Sequence, residues 1–438
     1  MIGTAIFVVP SIMLAHVGSP LRVLAVWIFA GVLSLFRALG YAELGGALPE
    51  AGGEYVYLYR AYGPAMGFIY GWTQFIVAKS ASIAAISTGF VLYLAYFFPN
   101  LTSVIWQAQP GFVHHSVALK LTGLQAGSAL MIALLSGLNV LGVRSSGALQ
   151  TAFTAAKLAV LCVLIFAGAV LGHGSLDHFR VSIDTQFHGG LPSGFALATL
   201  SALWAYDGWN NLSMVAGEVE NPRRNMPRAL ILGSLLVLAV YVLVNISYFY
   251  LLSPNEVVGT TTVAAAAARK FMGASGASFI AVGVMISTFA TLNGSILSGS
   301  RIPYAQARDG LFPRVLAGLH PRFDTPAASI AAQACVAGIF ALSGSYEALY
   351  TKAIYSEWIF YALVTTAIIV LRRRDPALPR PYRTWGYPVI PVVFVALALL
   401  LLANTFVERR SDALWCLALV GSGIPAYLLW KRLRNGAG

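Results

Sequence analysis

The stretch LWAYDGWN, residues 203–210, decides how this chain folds. It lies in the middle of an apolar segment, residues 193–215, that is long enough to cross about 30 Å of hydrocarbon. In hydrocarbon every backbone N–H and C=O must be paired, so an acid, a glycine and an asparagine at mid-depth survive only where they line a cavity. The stretch therefore predicts a membrane-spanning helix that is interrupted near Asp207 and Gly208.

The composition of the whole chain agrees with a membrane protein. Of its 438 residues, 58% are hydrophobic and only 10% are charged, whereas soluble domains carry about 25% charged residues. A net charge of +12 could indicate a nucleic-acid partner, but the basic residues fall in short loops between apolar segments. That pattern is typical of a protein that spans the lipid bilayer, and we expect no nucleic acid to bind.

Apolar stretches long enough to cross a membrane recur along the chain, and no hydrophilic stretch is long enough for a separate soluble domain. Eleven of these stretches are complete, and a twelfth, at the start, contains Gly3 and Pro10. We expect this first span to be N-terminally incomplete, with its first half-helix upstream of Met1. The predicted spans are 1–17, 22–45, 64–98, 121–142, 148–171, 193–215, 229–252, 276–300, 327–343, 346–371, 387–407 and 412–431.

The distribution of basic residues predicts the orientation of the spans. With the N-terminus in the cytoplasm, the inner loops and C-terminus hold 18 Lys and Arg residues, Arg37 among them, and the outer loops hold 8. Lys79 and Lys157, inside spans, complete the total of 28. Such a bias towards the cytoplasm satisfies the positive-inside rule. We expect a multi-pass protein of the plasma (inner) membrane with both termini in the cytoplasm.

A second interruption is predicted in span 1, at residues 2–7, which is five spans before the interruption in span 6. Two interrupted helices at corresponding positions of two five-span halves indicate a transporter site, and since five is odd the halves have opposite topology. The N–H groups that open a half-helix suit a carboxylate, and exposed carbonyls suit an ammonium group, so an amino acid is the expected substrate. The alternative is that the glycines only permit close helix packing. The predicted binding residues are Ile2, Gly3, Thr4, Ala5, Trp204, Ala205, Asp207, Gly208, Trp209 and Asn210.

Several of these motifs carry a family resemblance. LWAYDGWN, followed by GEVENP at 217–222 and RNMP at 224–227, resembles span 6 and its inner loop in the amino acid–polyamine–organocation superfamily. The likeness is strongest to the L-type amino acid transporter branch and its bacterial relatives. GTAIF at 3–7 and PEAGGEY at 49–55 are similar to the span 1 break and the loop after span 2.

The resemblance implies an all-α membrane protein with a LeuT-like 5+5 inverted repeat and two extra C-terminal helices. Spans 1–10 would occupy residues 1–375, with repeats at about 1–171 and 193–371, and residues 376–438 would hold spans 11 and 12 and a cytoplasmic C-terminus. It also implies sodium-independent transport of amino acids by alternating access, commonly as exchange.

Ionisable residues inside spans are costly and are functional candidates by default. Lys157 resembles the family lysine whose ammonium replaces a sodium ion, bridging span 1 carbonyls and a span 8 hydroxyl such as that of Ser287 or Thr288. The alternative is a lysine that extends to the cytoplasmic surface. Asp207 either receives a cationic substrate side chain or serves a structural pairing, and Glu357 either lines the side-chain pocket or ties span 10 to span 1 or 6.

Other functions remain as alternatives. If the interpretation as a sodium-independent exchanger fails, the chain is a proton-coupled amino acid or polyamine symporter, or a non-transporting truncated paralogue or sensor. An enzyme is not expected, because no nucleophile with a base and no metal cluster lies inside the spans. We expect no cofactor, no metal and no accessory subunit. The three cysteines have no disulfide or metal spacing and are expected to be buried free thiols.

Overall fold

Helices account for most of the structure. The computed structural model describes residues 2–50, 52–108, 119–142, 147–185, 189–214, 216 and 219–435. The helices are α1 (Ala5–Val17), α2 (Pro20–Ala47), α3 (Glu54–Tyr62), α4 (Pro64–Thr73), α5 (Lys79–Leu94), α6 (Gly123–Val140), α7 (Gly147–Cys162), α8 (Gly168–Leu171), α9 (Leu191–Tyr206), α10 (Asn211–Met214), α11 (Pro222–Leu251), α12 (Pro254–Val258), α13 (Val263–Arg308), α14 (Ala327–Ser343), α15 (Tyr346–Arg374), α16 (Val389–Glu408), α17 (Arg410–Gly421) and α18 (Gly423–Asn435). Five-residue π-helical turns, Gln74–Ala78 and Val163–Ala167, join α4 to α5 and α7 to α8.

The prediction of an all-α chain needs one correction. Two short antiparallel strands, β1 (Val104–Ala108) and β2 (Leu119–Thr122), lie in the long connection between α5 and α6. Val, Ile, Trp and Thr in these segments favour extended backbone, and outside the hydrocarbon a two-stranded ribbon can satisfy its remaining backbone groups with water.

Nine helices in the described part of the chain are long and apolar enough to cross a membrane. Two shorter apolar helices, α1 and α14, lie where spans 1 and 9 are predicted, and the 16-residue helix α9 lies in predicted span 6. Many large apolar side chains on the long helices point outward, such as Leu232, Phe279 and Leu400, each at least 60% exposed. An apolar outer surface of this extent is suited to lipid rather than to water.

Local sequence signals set several helix ends. Proline occupies the first turn of α2, α4, α9 and α11, where its missing N–H breaks no hydrogen bond. A capping box formed by Thr122 and Gln125 opens α6. The long helix α13 bends at Gly273, whose φ is +66°, a conformation that glycine adopts without strain.

Two expectations about burial are wrong. Arg37, counted with the inner-loop cations, lies inside α2 and is fully buried. Cys162 and Cys335 are exposed, and only Cys416 is buried. Both errors have one cause: in a membrane protein an apolar run can face lipid, and a lone cation in such a run can face the protein interior, so hydropathy alone does not decide which side is buried.

A buried ion pair joins the end of α2 to the end of α15. The Glu43 carboxylate accepts from Arg372 Nε at 2.8 Å and Nη2 at 2.6 Å, and from the Thr384 backbone N–H at 2.7 Å. Arg380 Nε lies 3.5 Å from the same carboxylate. A bidentate arginine pair with a further backbone donor satisfies the buried charge, so this contact fixes the two helices to the segment that precedes α16.

We expect Glu43→Gln to lower the apparent melting temperature of the purified protein in detergent. The substitution leaves Arg372 and Arg380 without their counter-charge, and breaking a buried pair in this way costs about 3 kcal/mol. The matched control is Glu50→Gln, whose pair with Arg60 is more than half exposed and is worth less than about 1 kcal/mol. Equal effects of the two substitutions would contradict this account.

Candidate functional site

The predicted break in span 6 lies between α9 and α10. The helix ends at Tyr206, and the backbone of Asp207 is extended, with φ −74° and ψ 167°. Gly208 follows with φ +90°, a left-handed conformation that side chains other than glycine avoid. The chain resumes a helix only at Asn211, so the interruption coincides with the polar residues of the sequence.

A single tyrosine joins the two buried acids near the break. Tyr361 Oη lies 2.7 Å from Asp207 Oδ1 and 2.9 Å from Glu357 Oε2. Glu357 and Tyr361 are four residues apart on α15 and therefore share one helix face. The contact ties span 10 to the span 6 break, which is the structural role that the sequence left open for both acids.

Asn210 extends this network to the helix α3. Its Nδ2 donates to Glu54 Oε1 at 2.8 Å and to Tyr361 Oη at 3.1 Å. The other oxygen of Glu54 accepts from Tyr70 Oη at 3.1 Å. One residue further on, Asn211 Oδ1 accepts from the buried ammonium of Lys79 at 2.9 Å, so the segment after the break is held from α3, α4 and α5.

Arg37 lies against the same network without a hydrogen bond. Its guanidinium is 4.0 Å from the ring centre of Tyr361, 4.5 Å from that of Trp209 and 5.5 Å from that of Trp358. None of its three nitrogens has a hydrogen-bond partner among the residues that the structure describes. Contacts with aromatic faces stabilise the cation by about 0.5–2 kcal/mol each.

The start of α1 faces the second half of the predicted site. Thr4 precedes the first residue of α1 and is buried. Its side chain lies close to the hydroxyl of Tyr346, which accepts a hydrogen bond from Trp204 Nε1 at 3.1 Å. Thr4, just before α1, and Trp204, in the last turn of α9, thus lie at one tyrosine of α15.

The first turn of α1 begins directly after Gly3 and Thr4. A helix leaves its first four N–H groups without the usual intrahelical partners, and at the start of α1 the Phe7 N–H donates to the Thr4 carbonyl at 3.0 Å. The position that a Cβ of Gly3 would occupy is 3.5 Å from the Thr291 methyl group, so α13 packs closely against this turn.

Lys157 lies beside the segment that precedes α1, and the α13 hydroxyl that it contacts is that of Thr291 rather than that of Ser287 or Thr288. Its Nζ donates to the Ile2 carbonyl at 3.2 Å and to Thr291 Oγ1 at 2.8 Å. Thr288 instead donates to its own helix, at the Val284 carbonyl, and Ser287 Oγ has no partner in the described part of the chain. Thr291 lies one turn beyond Ser287 on the same face of α13, at the depth of the Ile2 carbonyl.

Aromatic packing covers the last turn of α9. Trp204 is buried and stacks on Tyr350, with ring centres 6.1 Å apart and planes 13° from parallel. The Ala205 carbonyl accepts from Tyr241 Oη at 3.0 Å. A carbonyl oxygen has two lone pairs, so the Ala205 carbonyl can accept a second donor. The Ile2 carbonyl already lies within hydrogen-bond distance of both Lys157 Nζ and Thr291 Oγ1.

Five residues of this site were missed by sequence reasoning. Hydroxyls carry no charge signal, so the sequence does not distinguish them from those of ordinary core tyrosines and threonines. Two signals were available in the sequence: a charge inside the apolar run of span 2, and an acid at the start of α3. The missed residues are Arg37, Glu54, Thr291, Tyr346 and Tyr361.

A cavity of about 910 Å³ lies apart from the predicted residues, between α3, the end of α13 and α18. Tyr55, in its lining, donates to Asp309 Oδ2 at 2.7 Å. Burial, reinforced by this hydrogen bond, raises the pKa of the Tyr55 hydroxyl. The predicted site residues do not line this cavity: Thr4, Trp204 and Asp207 are closed off from solvent in this structure.

Comparisons with known proteins agree with one another. A family model described as amino acid permease matches residues 1–423. The b(0,+)-type amino acid transporter 1 of Mus musculus is 32% identical over 438 residues, which is 99% of this chain and 86% of that protein. The serine/threonine exchanger SteT of Bacillus subtilis (strain 168) is 32% identical over 98% of this chain and 93% of its own length. The cystine/glutamate transporter of Homo sapiens is 28% identical over 98% and 82%.

We expect Gly208→Ala to lower thermal stability in detergent, because a Cβ at φ +90° costs about 1–2 kcal/mol. The matched control is Gly233→Ala in the middle of α11, where an added Cβ meets no atom within 4 Å. Alanine there is expected to leave stability unchanged or to raise it by up to about 1 kcal/mol. A Gly208→Ala protein as stable as the control would mean that the backbone of the break is not constrained.

Proposed function

The chain belongs to the amino acid permease family, and from that premise we propose that it is a sodium-independent amino acid exchanger of the plasma membrane that works by alternating access. The substrate zwitterion lies between the start of α1 and the break after α9. The observation that carries this proposal is the packing of α1 against α9, with Thr4 and Trp204 both beside the Tyr346 hydroxyl.

The chemistry of the two interruptions supports a zwitterion. The N–H groups of Gly3 to Ala5, at the start of α1, present partial positive charge to a substrate carboxylate. The Ala205 carbonyl, which accepts from Tyr241, has its second lone pair for a substrate ammonium group. Ile2, Asp207, Gly208, Trp209 and Asn210 frame the site, and Trp204 would cover the bound molecule.

The packing of the helices supports a 5+5 inverted repeat with twelve spans. Helix α1 packs on α9, α2 on α11, α5 on α13 and α6 on α14. In each pair the second helix is the predicted span five places after the first, as two halves of opposite topology require. On this proposal the repeats cover about 1–171 and 193–371, spans 11 and 12 lie in 376–438, and both termini are cytoplasmic.

Lys157 supports sodium independence. Its ammonium occupies the space between the Ile2 carbonyl and the Thr291 hydroxyl, which are the oxygen ligands that a bound cation would use. Because the covalently attached ammonium of Lys157 bridges α1 and α13, no sodium ion is needed to hold these two helices together.

Proton symport is the second candidate, and the two carboxyls around Tyr361 favour it. Asp207 and Glu357 are both buried and both contact one hydroxyl. A carboxyl that gains or loses a proton during the transport cycle would couple transport to the proton gradient.

Counterflow in proteoliposomes tests the exchange proposal. Liposomes loaded with unlabelled amino acid are expected to accumulate external labelled amino acid several-fold over empty liposomes, and equally in sodium and choline buffers. Absence of uptake for every amino acid tested would overturn the proposal. Uptake into empty liposomes that follows an imposed pH gradient would replace exchange with proton symport.

We expect Lys157→Met to lower uptake about tenfold or more, because hydrogen bonds to a charged group contribute about 1.5–3 kcal/mol. Thr291→Val is expected to have a smaller effect in the same direction. Thr288→Val is the matched control, since its hydroxyl bonds only its own helix. Uptake of Lys157→Met at the wild-type rate, or wild-type uptake that requires sodium, would refute the role of this lysine.

A further inference from the structure

We propose that Arg37 is a built-in counter-cation for the acids at the span 6 break, and that it restricts this exchanger to amino acids with uncharged side chains. The inference rests on the proposed function, since it concerns the side-chain compartment of the same site. The Arg37 guanidinium is wholly buried and has no hydrogen bond among the described residues. It lies over the ring of Tyr361, whose hydroxyl contacts the two carboxyls.

The number of protons around Tyr361 sets the charge of the acids. Tyr361 Oη accepts a hydrogen bond from Asn210 Nδ2 and contacts two carboxyl oxygens. A hydroxyl has one proton to donate and two lone pairs. It can therefore donate to one carboxyl, and the other must donate its own proton to the hydroxyl. Asp207 and Glu357 together hold one proton and one negative charge.

The remaining charges balance within the cluster. Glu54 accepts hydrogen bonds at both oxygens, as an ionised carboxylate does, and Lys79 bonds to Asn211 beside it. Arg37 then balances the single charge of the Asp207–Glu357 pair. With two cations against two net negative charges, the compartment is neutral, and a charged substrate side chain of either sign would leave one charge unpaired.

The packing of α2 holds the Arg37 guanidinium in a fixed position beside the break. Arg37 and Tyr41 are four residues apart and share the face of α2 that meets the break. Tyr41 packs edge-on against Trp209, with ring centres 4.6 Å apart, and against Tyr361 at 6.2 Å. The guanidinium lies over both of those rings, so it is confined beside the residues that frame the site.

Several other buried polar atoms in this cluster also lack a hydrogen-bond partner among the described residues. Glu357 Oε1, Asn210 Oδ1 and the Trp209 and Trp358 indole nitrogens have none in the described part of the chain. Buried polar groups are almost always hydrogen-bonded, and such a concentration next to a helix break indicates a compartment that takes polar, uncharged guests such as water or a hydroxyl or amide side chain.

Counterflow with a panel of labelled neutral, dibasic and acidic amino acids tests the inference. Wild-type protein is expected to exchange the neutral ones and to exclude arginine, ornithine and glutamate. Arg37→Met keeps the length of the side chain but removes its charge, and we expect it to shift the ratio of dibasic to neutral uptake by about tenfold or more. Arg37→Lys is expected to retain the wild-type preference.

The triple variant Arg37→Met with Asp207→Asn and Glu357→Gln separates charge balance from packing. Removing the cation together with both acids is expected to restore the preference for neutral amino acids that Arg37→Met loses, because charges that are removed together leave no uncompensated charge. Arg60→Met is the matched control, since Arg60 forms an exposed ion pair with Glu50, and it is expected to leave the selectivity unchanged.

Each result decides one of the two proposals. Wild-type exchange of arginine or glutamate alongside neutral amino acids would overturn the role of Arg37 and leave exchange intact. Arg37→Met with unchanged selectivity would do the same. If Arg37→Met does not fold, the wild-type panel and Arg37→Lys still decide, since a lysine variant that admits dibasic amino acids contradicts the inference. Absence of all uptake in the wild type would instead overturn the proposed function.

Discussion

The structure depends on one constraint: a helix that is broken inside hydrocarbon must have its freed backbone and polar groups satisfied by protein. The break at Asp207 and Gly208 meets this constraint by drawing in side chains from four other helices. Helix α15 supplies Tyr361 and α3 supplies Glu54. The helices around the break are thus held by the residues that the break requires.

The same constraint explains why the site is rich in hydroxyls. Tyr346 accepts from Trp204, Tyr361 links two acids, and Thr291 shares the Ile2 carbonyl with Lys157. A hydroxyl both donates and accepts, so it can link two acceptors or two donors without adding charge. This property allows a dense polar network in the middle of an apolar bundle.

The contribution of an ion pair to this protein depends on how deeply the pair is buried. The exposed Glu50–Arg60 pair contributes little, whereas Glu43 with Arg372 closes one end of the bundle and Arg37 faces the acids at its centre. In a low-dielectric interior an unmatched charge is costly. The balance of buried charges therefore bears both on which helices stay together and on which substrates we expect to enter.

The sequence by itself determined the membrane-spanning class, the approximate positions of the spans, the interruption at Asp207 and the family. Each of these follows from local signals: apolar length, a glycine beside an acid, or a motif of adjacent residues. It also pointed to Lys157 as a partner of the first span. It misjudged Arg37 as a loop residue and named Ser287 or Thr288 where the structure has Thr291, because hydropathy reports depth in the bilayer and not the direction in which a side chain points.

Only the tertiary structure decided which polar groups meet. Tyr361 and Arg37 are distant in sequence from Asp207, and Glu54 lies in a connecting helix, yet all of them converge on the break. Their convergence depends on the rotation and register of helices against one another. These are set by side-chain packing over the whole bundle, and no local stretch of sequence contains that information.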